Sequence, residues 1–182
     1  MKKIINILLF MYLLTITGCL AGLDPNNGTY TINIPTSIMQ SNIDANLPLK
    51  KSLSIGTLQI NSSDILSKNS NNKLNLGTSF SFSSLLTPNI NGKVNVTSGI
   101  KYDEKNKSFY LKNPMLDKLQ FNNFALSKYL TPNMKNLISQ IIGKSIAQYP
   151  IYKLDGNMNM VSKVLKNIKI ENGDLKLIFS LF

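Results

Sequence analysis

The sequence predicts an α+β domain: an antiparallel sheet of long strands, a short N-terminal helix and a longer amphipathic helix towards the C-terminus. Three patterns predict it. Leu74, Leu76, Thr78, Phe80 and Phe82 alternate with small or polar residues, and Val94, Val96, Ser98, Ile100 and Tyr102 repeat the alternation. That period of two places one apolar and one polar face on each strand. Met134, Leu137, Ile138, Ile141, Ile142, Ser145, Ile146 and Tyr149 recur at three- and four-residue spacing, which is the stripe of a helix lying on a core. Asn172-Gly173 separates two alternating runs, the strongest short-range signal of a hairpin.

The elements follow in chain order. Tyr30-Thr31-Ile32 is extended. Asn33 is a helix-capping residue type and Pro35 suits a first turn, so a helix is predicted next, with Ile38, Met39, Ile43 and Leu47 on one face and its end before Pro48. Leu53, Ile55, Leu58 and Ile60 read as a strand with a bulge at Gly56 between two phases. Lys68 to Asn72 is a polar loop, and the two long strands follow. Gly77, Gly92 and Gly99 stand singly in these stretches, where bulges or tight curvature account for them. Asp103 to Lys107 is a charged turn, Phe109-Tyr110-Leu111 starts a returning strand, and Leu119, Phe121 and Asn123 continue the sheet. Thr131-Pro132 opens the main helix and Pro150 stops it. A second, shorter helix is predicted around Met158 to Leu165, before the closing hairpin of Ile168, Ile170, Leu175, Leu177 and Phe179.

The first eighteen residues read as an export signal. Lys2 and Lys3 precede an apolar run from Ile4 to Ile16, interrupted by Asn6. The run is shorter than the roughly 20 residues that span a bilayer and matches the apolar segment of a secretory signal. Gly18 and Cys19, the single cysteine, follow. Ile16-Thr17-Gly18-Cys19 resembles the lipobox of bacterial lipoproteins, which implies cleavage before Cys19 and attachment of diacylglycerol to its thiol. Two or more acyl chains anchor stably where one does not. An ordinary signal peptide is the alternative, but it leaves an exported thiol without a partner. Leu20 follows the cysteine in place of an acid, which among lipoproteins implies sorting to the outer membrane, facing the periplasm. The expected organisation is a signal peptide over 1–18, a lipidated tether over 19–29, rich in small and turn-forming residues, and one domain over 30–182.

All 20 basic residues are lysine, against 9 acids, and histidine and tryptophan are absent. Without Lys2 and Lys3 the excess is still large, at 18 lysines. A codon bias towards Lys, Asn and Ile explains it first, and attraction to an anionic membrane second. Nucleic acid ranks a distant third, because the chain is exported and has no arginine for bidentate contacts. The composition also bears on chemistry. Without histidine, and with the cysteine lipidated, no His-based acid–base pair, Cys/His triad or ordinary zinc site can form. Asp103-Glu104, the one adjacent acidic pair, reads as a solvated turn, and a Gly-rich phosphate loop is lacking. A non-enzyme with no metal and no cofactor is expected, acting as a monomer.

The ordered set of elements resembles the small bacterial lipoproteins typified by YceB. The likeness runs from the lipobox through Tyr30-Thr31-Ile32, then Tyr102 to Lys112, Tyr149 to Leu154 and Val161 to Phe179. That family is similar in architecture to tubular lipid-binding domains. The resemblance therefore implies a long curved antiparallel sheet wrapped around the C-terminal amphipathic helix, with a groove for acyl chains between them. The residues placed to line it are Phe80, Phe82, Val94, Val96, Ile100 and Tyr102 on the sheet and Met134, Ile138, Ile141 and Ile142 on the helix. Residue by residue, an apolar stripe more often buries itself as core. A lipid-binding lipoprotein predicts a cavity of several hundred Å3 at this seam. A ligand-free envelope scaffold predicts solid packing there.

Overall fold

The computed structural model of the protein describes residues 21–24, 27–66, 72–85, 87–123, 128–156 and 162–180. The expected signal segment and Cys19 lie outside the described residues. The strands divide between two antiparallel sheets, neither closed on itself, in an α+β arrangement. The smaller sheet contains β1 (Ala21–Asp24), β2 (Thr29–Ile34), β10 (Leu165–Glu171) and β11 (Asp174–Ser180), in the order β1-β2-β11-β10. The larger runs β3 (Leu49–Leu53), β4 (Gly56–Ile65), β5 (Leu74–Ser84), β6 (Thr87–Asp103), β7 (Ser108–Leu116) and β9 (Tyr152–Lys153), with β8 (Gln120–Phe121) also paired to β6. The helices are α1 (Thr36–Asp44) and α2 (Pro132–Ala147).

The centre of the larger sheet follows the alternation. Leu74, Leu76, Thr78, Phe80 and Phe82 turn to the buried face of β5, opposite Ser98, Val96, Val94, Gly92 and Ile90 of β6. Pairing in this register sets apolar groups beside apolar groups, and a slip by one residue would expose them all. The buried Thr78 is matched by Ser63 of β4, and the two hydroxyls hydrogen-bond at 2.9 Å. Register shifts interrupt the ladders between Ile60 and Ser62, Phe82 and Ser84, and Thr97 and Gly99. Such bulges bend a strand and raise its twist.

Helix α2 begins as expected. The Thr131 hydroxyl accepts from the Met134 N–H at 3.3 Å, and Pro132 takes the first turn, where a missing N–H costs nothing. The helix packs chiefly on β7, and Ile138, Ile142 and Ile146 face inward. Leu137 is a departure from the predicted stripe, because at 36% exposure it lies on the flank of the helix.

Four further local expectations change. Gly56, with φ +145°, opens β4 directly after the Ser54-Ile55 turn and pairs with Leu53, rather than forming a bulge inside one strand. Asn33 does not cap α1. Pro35 is the capping position, and the capping oxygen comes from Asp174 instead. Helix α1 stops at Asp44, short of Leu47. The segment predicted as a second helix lies partly outside the described residues. Its described end is a 3-10 turn, Ser162–Val164, and Leu165 already opens β10. Its β-branched and lysine-rich continuation pairs with β11. Part of the expected tether is also ordered: Ala21–Asp24 pairs with Thr29–Ile32 as the edge strand β1. Gly28, with φ +55°, makes that hairpin reversal possible.

Candidate functional site

The ten residues expected to line a groove are brought together, but mostly as core. Phe80, Phe82, Val94, Val96, Ile138 and Ile142 are each no more than 2% exposed. Ile100, Tyr102, Met134 and Ile141 are half-buried against the same cluster. Phe80 meets Phe121 edge-on at 6.1 Å, and Tyr102 stacks at a tilt on Phe109 at 4.8 Å. A small space near Leu76, Leu111 and Ile146 amounts to about 20 Å3, room for about one water molecule.

Space of ligand size opens at the start of α2 and along its second half. At its start, a cleft of about 740 Å3 is bounded by Leu53, Ile55, Leu85, Tyr129 and Met134. Most of the surface facing it is apolar, and Leu85 and Tyr129 are exposed at its rim. The β3–β4 turn closes tightly over the sheet at this point. A Cβ on Gly56 would lie 2.3 Å from the Ser83 carbonyl oxygen and 2.9 Å from Phe82 Cζ. Only glycine permits that approach, so Gly56 sets the floor of the cleft directly above one of the expected lining residues. Of the ten, Met134 opens onto this cleft.

Along the second half of α2, a groove of about 590 Å3 separates the helix from β7. Leu111, Pro114, Leu116 and Ala147 lie along it, with Lys101, Lys112 and Lys144 beside them. Gly143 brings the helix down onto β7, since a Cβ there would lie 2.9 Å from Leu116 Cδ1. Opposite, β7 is irregular: Asn113 has φ +50° and the ladder to β6 shifts between Thr97 and Gly99. The buried Ser98 hydroxyl lies 3.0 Å from the Lys112 carbonyl oxygen, which gives this irregular stretch a partner.

Sequence reasoning missed Leu53, Ile55, Tyr129 and the three lysines. Leu53 and Ile55 carry a strand-like signal, but nothing local says that Tyr129 and Met134 stand opposite them. Among the described residues no helix is long and apolar enough to cross a membrane.

The model of a family described as "Protein of unknown function (DUF1439)" matches residues 36–174. The match covers most of the chain, and the protein belongs to that family. No curated protein matches the chain.

Proposed function

We propose that this DUF1439 member is a YceB-like lipoprotein of the bacterial cell envelope, anchored through Cys19 and binding an apolar ligand beside α2. One observation supports the reading above others: the cleft of about 740 Å3 between the sheet hairpins and the start of α2, with mainly apolar walls. Small-molecule sites commonly measure about 300–1,000 Å3 and have such walls. An acyl chain or another apolar molecule suits it. The role is binding rather than catalysis and requires no metal or cofactor. The lipid anchor holds the domain, as a monomer, on the periplasmic face of the outer membrane, close to a supply of such ligands.

The anchor and the site are tested separately. Cys19→Ser should abolish incorporation of labelled palmitate during growth. Mature protein purified gently in neutral detergent should carry lipid in native mass spectrometry and bind a fluorescent fatty-acid analogue. Met134→Trp, which fills the cleft, should weaken that binding at least tenfold, a loss of about 1.4 kcal/mol. A ligand-free protein that ignores the analogue would overturn the reading. The tight burial of Phe80, Phe82, Ile138 and Ile142 favours the second reading, an envelope scaffold with no ligand. That reading predicts this negative result together with a cross-linkable envelope partner.

A further inference from the structure

The groove between β7 and α2 differs in character from the cleft at the start of the helix. Its long floor is apolar, formed by Leu111, Pro114, Leu116 and Ala147, yet three lysines stand around it. No acidic side chain among the described residues lines it. Among the described residues, Lys101, Lys112 and Lys144 are in no ion pair, and all three are exposed. Lys101 is steered by Tyr110, its cross-strand neighbour, with the ammonium 6.0 Å from the ring centroid. The polar side chains of Ser139 and Gln140 complete the helix wall. Like charges left unneutralised around a concave apolar surface repel one another until a negative group joins them.

We propose that this groove seats one anionic phospholipid. The acyl carbons nearest the glycerol lie on the Leu111–Leu116 side of the floor, and the phosphate sits among Lys101, Lys112 and Lys144. The apolar floor selects an amphiphile over free phosphate, and the lysines select an anionic headgroup over a zwitterionic one. Lysine suits this task because a flexible point charge meets a phosphate without demanding a fixed bidentate geometry. The site is separate from the cleft beside Met134 and does not rest on it.

The test uses the mature lipidated protein in a neutral detergent, titrated calorimetrically with dihexanoylphosphatidylglycerol, dihexanoylphosphatidylcholine and inorganic phosphate. The phosphatidylglycerol should bind roughly 30- to 150-fold tighter than the phosphatidylcholine, the change that two or three surface lysines contribute. Phosphate alone should bind far more weakly than either. Lys112→Gln with Lys144→Gln should remove the preference for the anionic lipid. Lys163→Gln with Lys166→Gln, which removes the same charge from exposed positions elsewhere, should keep it. Unchanged binding of the fluorescent fatty-acid analogue in the Lys112/Lys144 variant would show the cleft intact, so the two sites fail independently. Equal binding of the two lipids, an equal loss in the Lys163/Lys166 control, or phosphate binding as tight as lipid would each overturn the proposal.

Discussion

Asp174, the first residue of β11, supplies the cap for a helix that begins at Thr36. Its Oδ1 accepts from the Thr36 N–H at 2.8 Å and from the Thr36 hydroxyl at 2.9 Å, while Oδ2 accepts from the Asn33 side-chain amide at 3.0 Å. A carboxylate at a helix N-terminus satisfies a free N–H and meets the positive end of the helix dipole. One side chain thus ties the closing hairpin to β2 and to the entry of α1.

Burial alone would push the Asp174 carboxyl up, but the hydrogen bonds from Asn33 and Thr36 and the nearby Lys176 charge together hold it below the ordinary value. A carboxyl depressed in the folded state stabilises the fold above its unfolded-state pKa, about 3.9, and this contribution is lost as pH falls through the lower folded value. Asp174→Ala should therefore cost about 1 kcal/mol at neutral pH, as lost helix caps do. Urea unfolding at pH 7 and in strong acid should show the gap between variant and parent narrowing in acid. A gap that does not depend on pH would remove the charge from the explanation.

Gly92 lies in register with Phe80 on β5 and with Phe121 on β8, directly where their rings meet. A Cβ there would be 2.5 Å from Phe80 Cζ and 2.6 Å from the Gln120 carbonyl oxygen. The reason for this glycine is close approach and not a bulge. Gly92→Ala should cost about 1–3 kcal/mol, as overpacking does. Hydrogen exchange should show β8 amides losing protection first.

On α2, Ile142 and Leu137 carry similar side chains in different surroundings. Ile142 is fully buried and Leu137 lies on the helix flank. Ile142→Ala should destabilise by about 2–5 kcal/mol, the usual cost of a cavity in a core. Leu137→Ala should cost about 0.5 kcal/mol, in line with surface changes. Equal losses in denaturant unfolding would mean that α2 is rotated relative to the packing described.

The Tyr102 hydroxyl is buried without a hydrogen-bond partner among the described residues, although its ring stacks on Phe109. An unsatisfied buried hydroxyl costs about 1–3 kcal/mol. Tyr102→Phe keeps the ring and removes the orphan, so thermal unfolding should be unchanged or shifted upward. A clear loss of stability would reveal a partner for the oxygen, such as a bound water.

Several features were legible in the sequence because their causes are local. Alternation from Leu74 to Phe82 and from Val94 to Tyr102 names the buried face of each strand, whatever its partner. Thr131-Pro132 announces the start of α2, and Asn172-Gly173 adopts the positive φ angles that its hairpin requires. Where prediction failed, a distant group had intervened. Asn33 looks like a cap, but its amide serves Asp174 and the cap comes from the far end of the chain. Leu137 has the right spacing for the core, but α2 buries Ile138 and Ile142 and leaves Leu137 on its flank. The apolar residues offered as a ligand lining are inward-facing as predicted, but inward-facing does not say whether a partner fills the space.

The sequence by itself determined the type and phase of the main elements, because alternation, helical spacing and turn chemistry act over a few residues. Only the tertiary structure decided that the strands part into two sheets, that Asp174 meets Thr36, and that Ile138 and Ile142 are buried in a filled core. Those outcomes depend on which surfaces interlock without voids. Close packing is settled by the shapes of side chains far apart in the chain, and no local pattern records it.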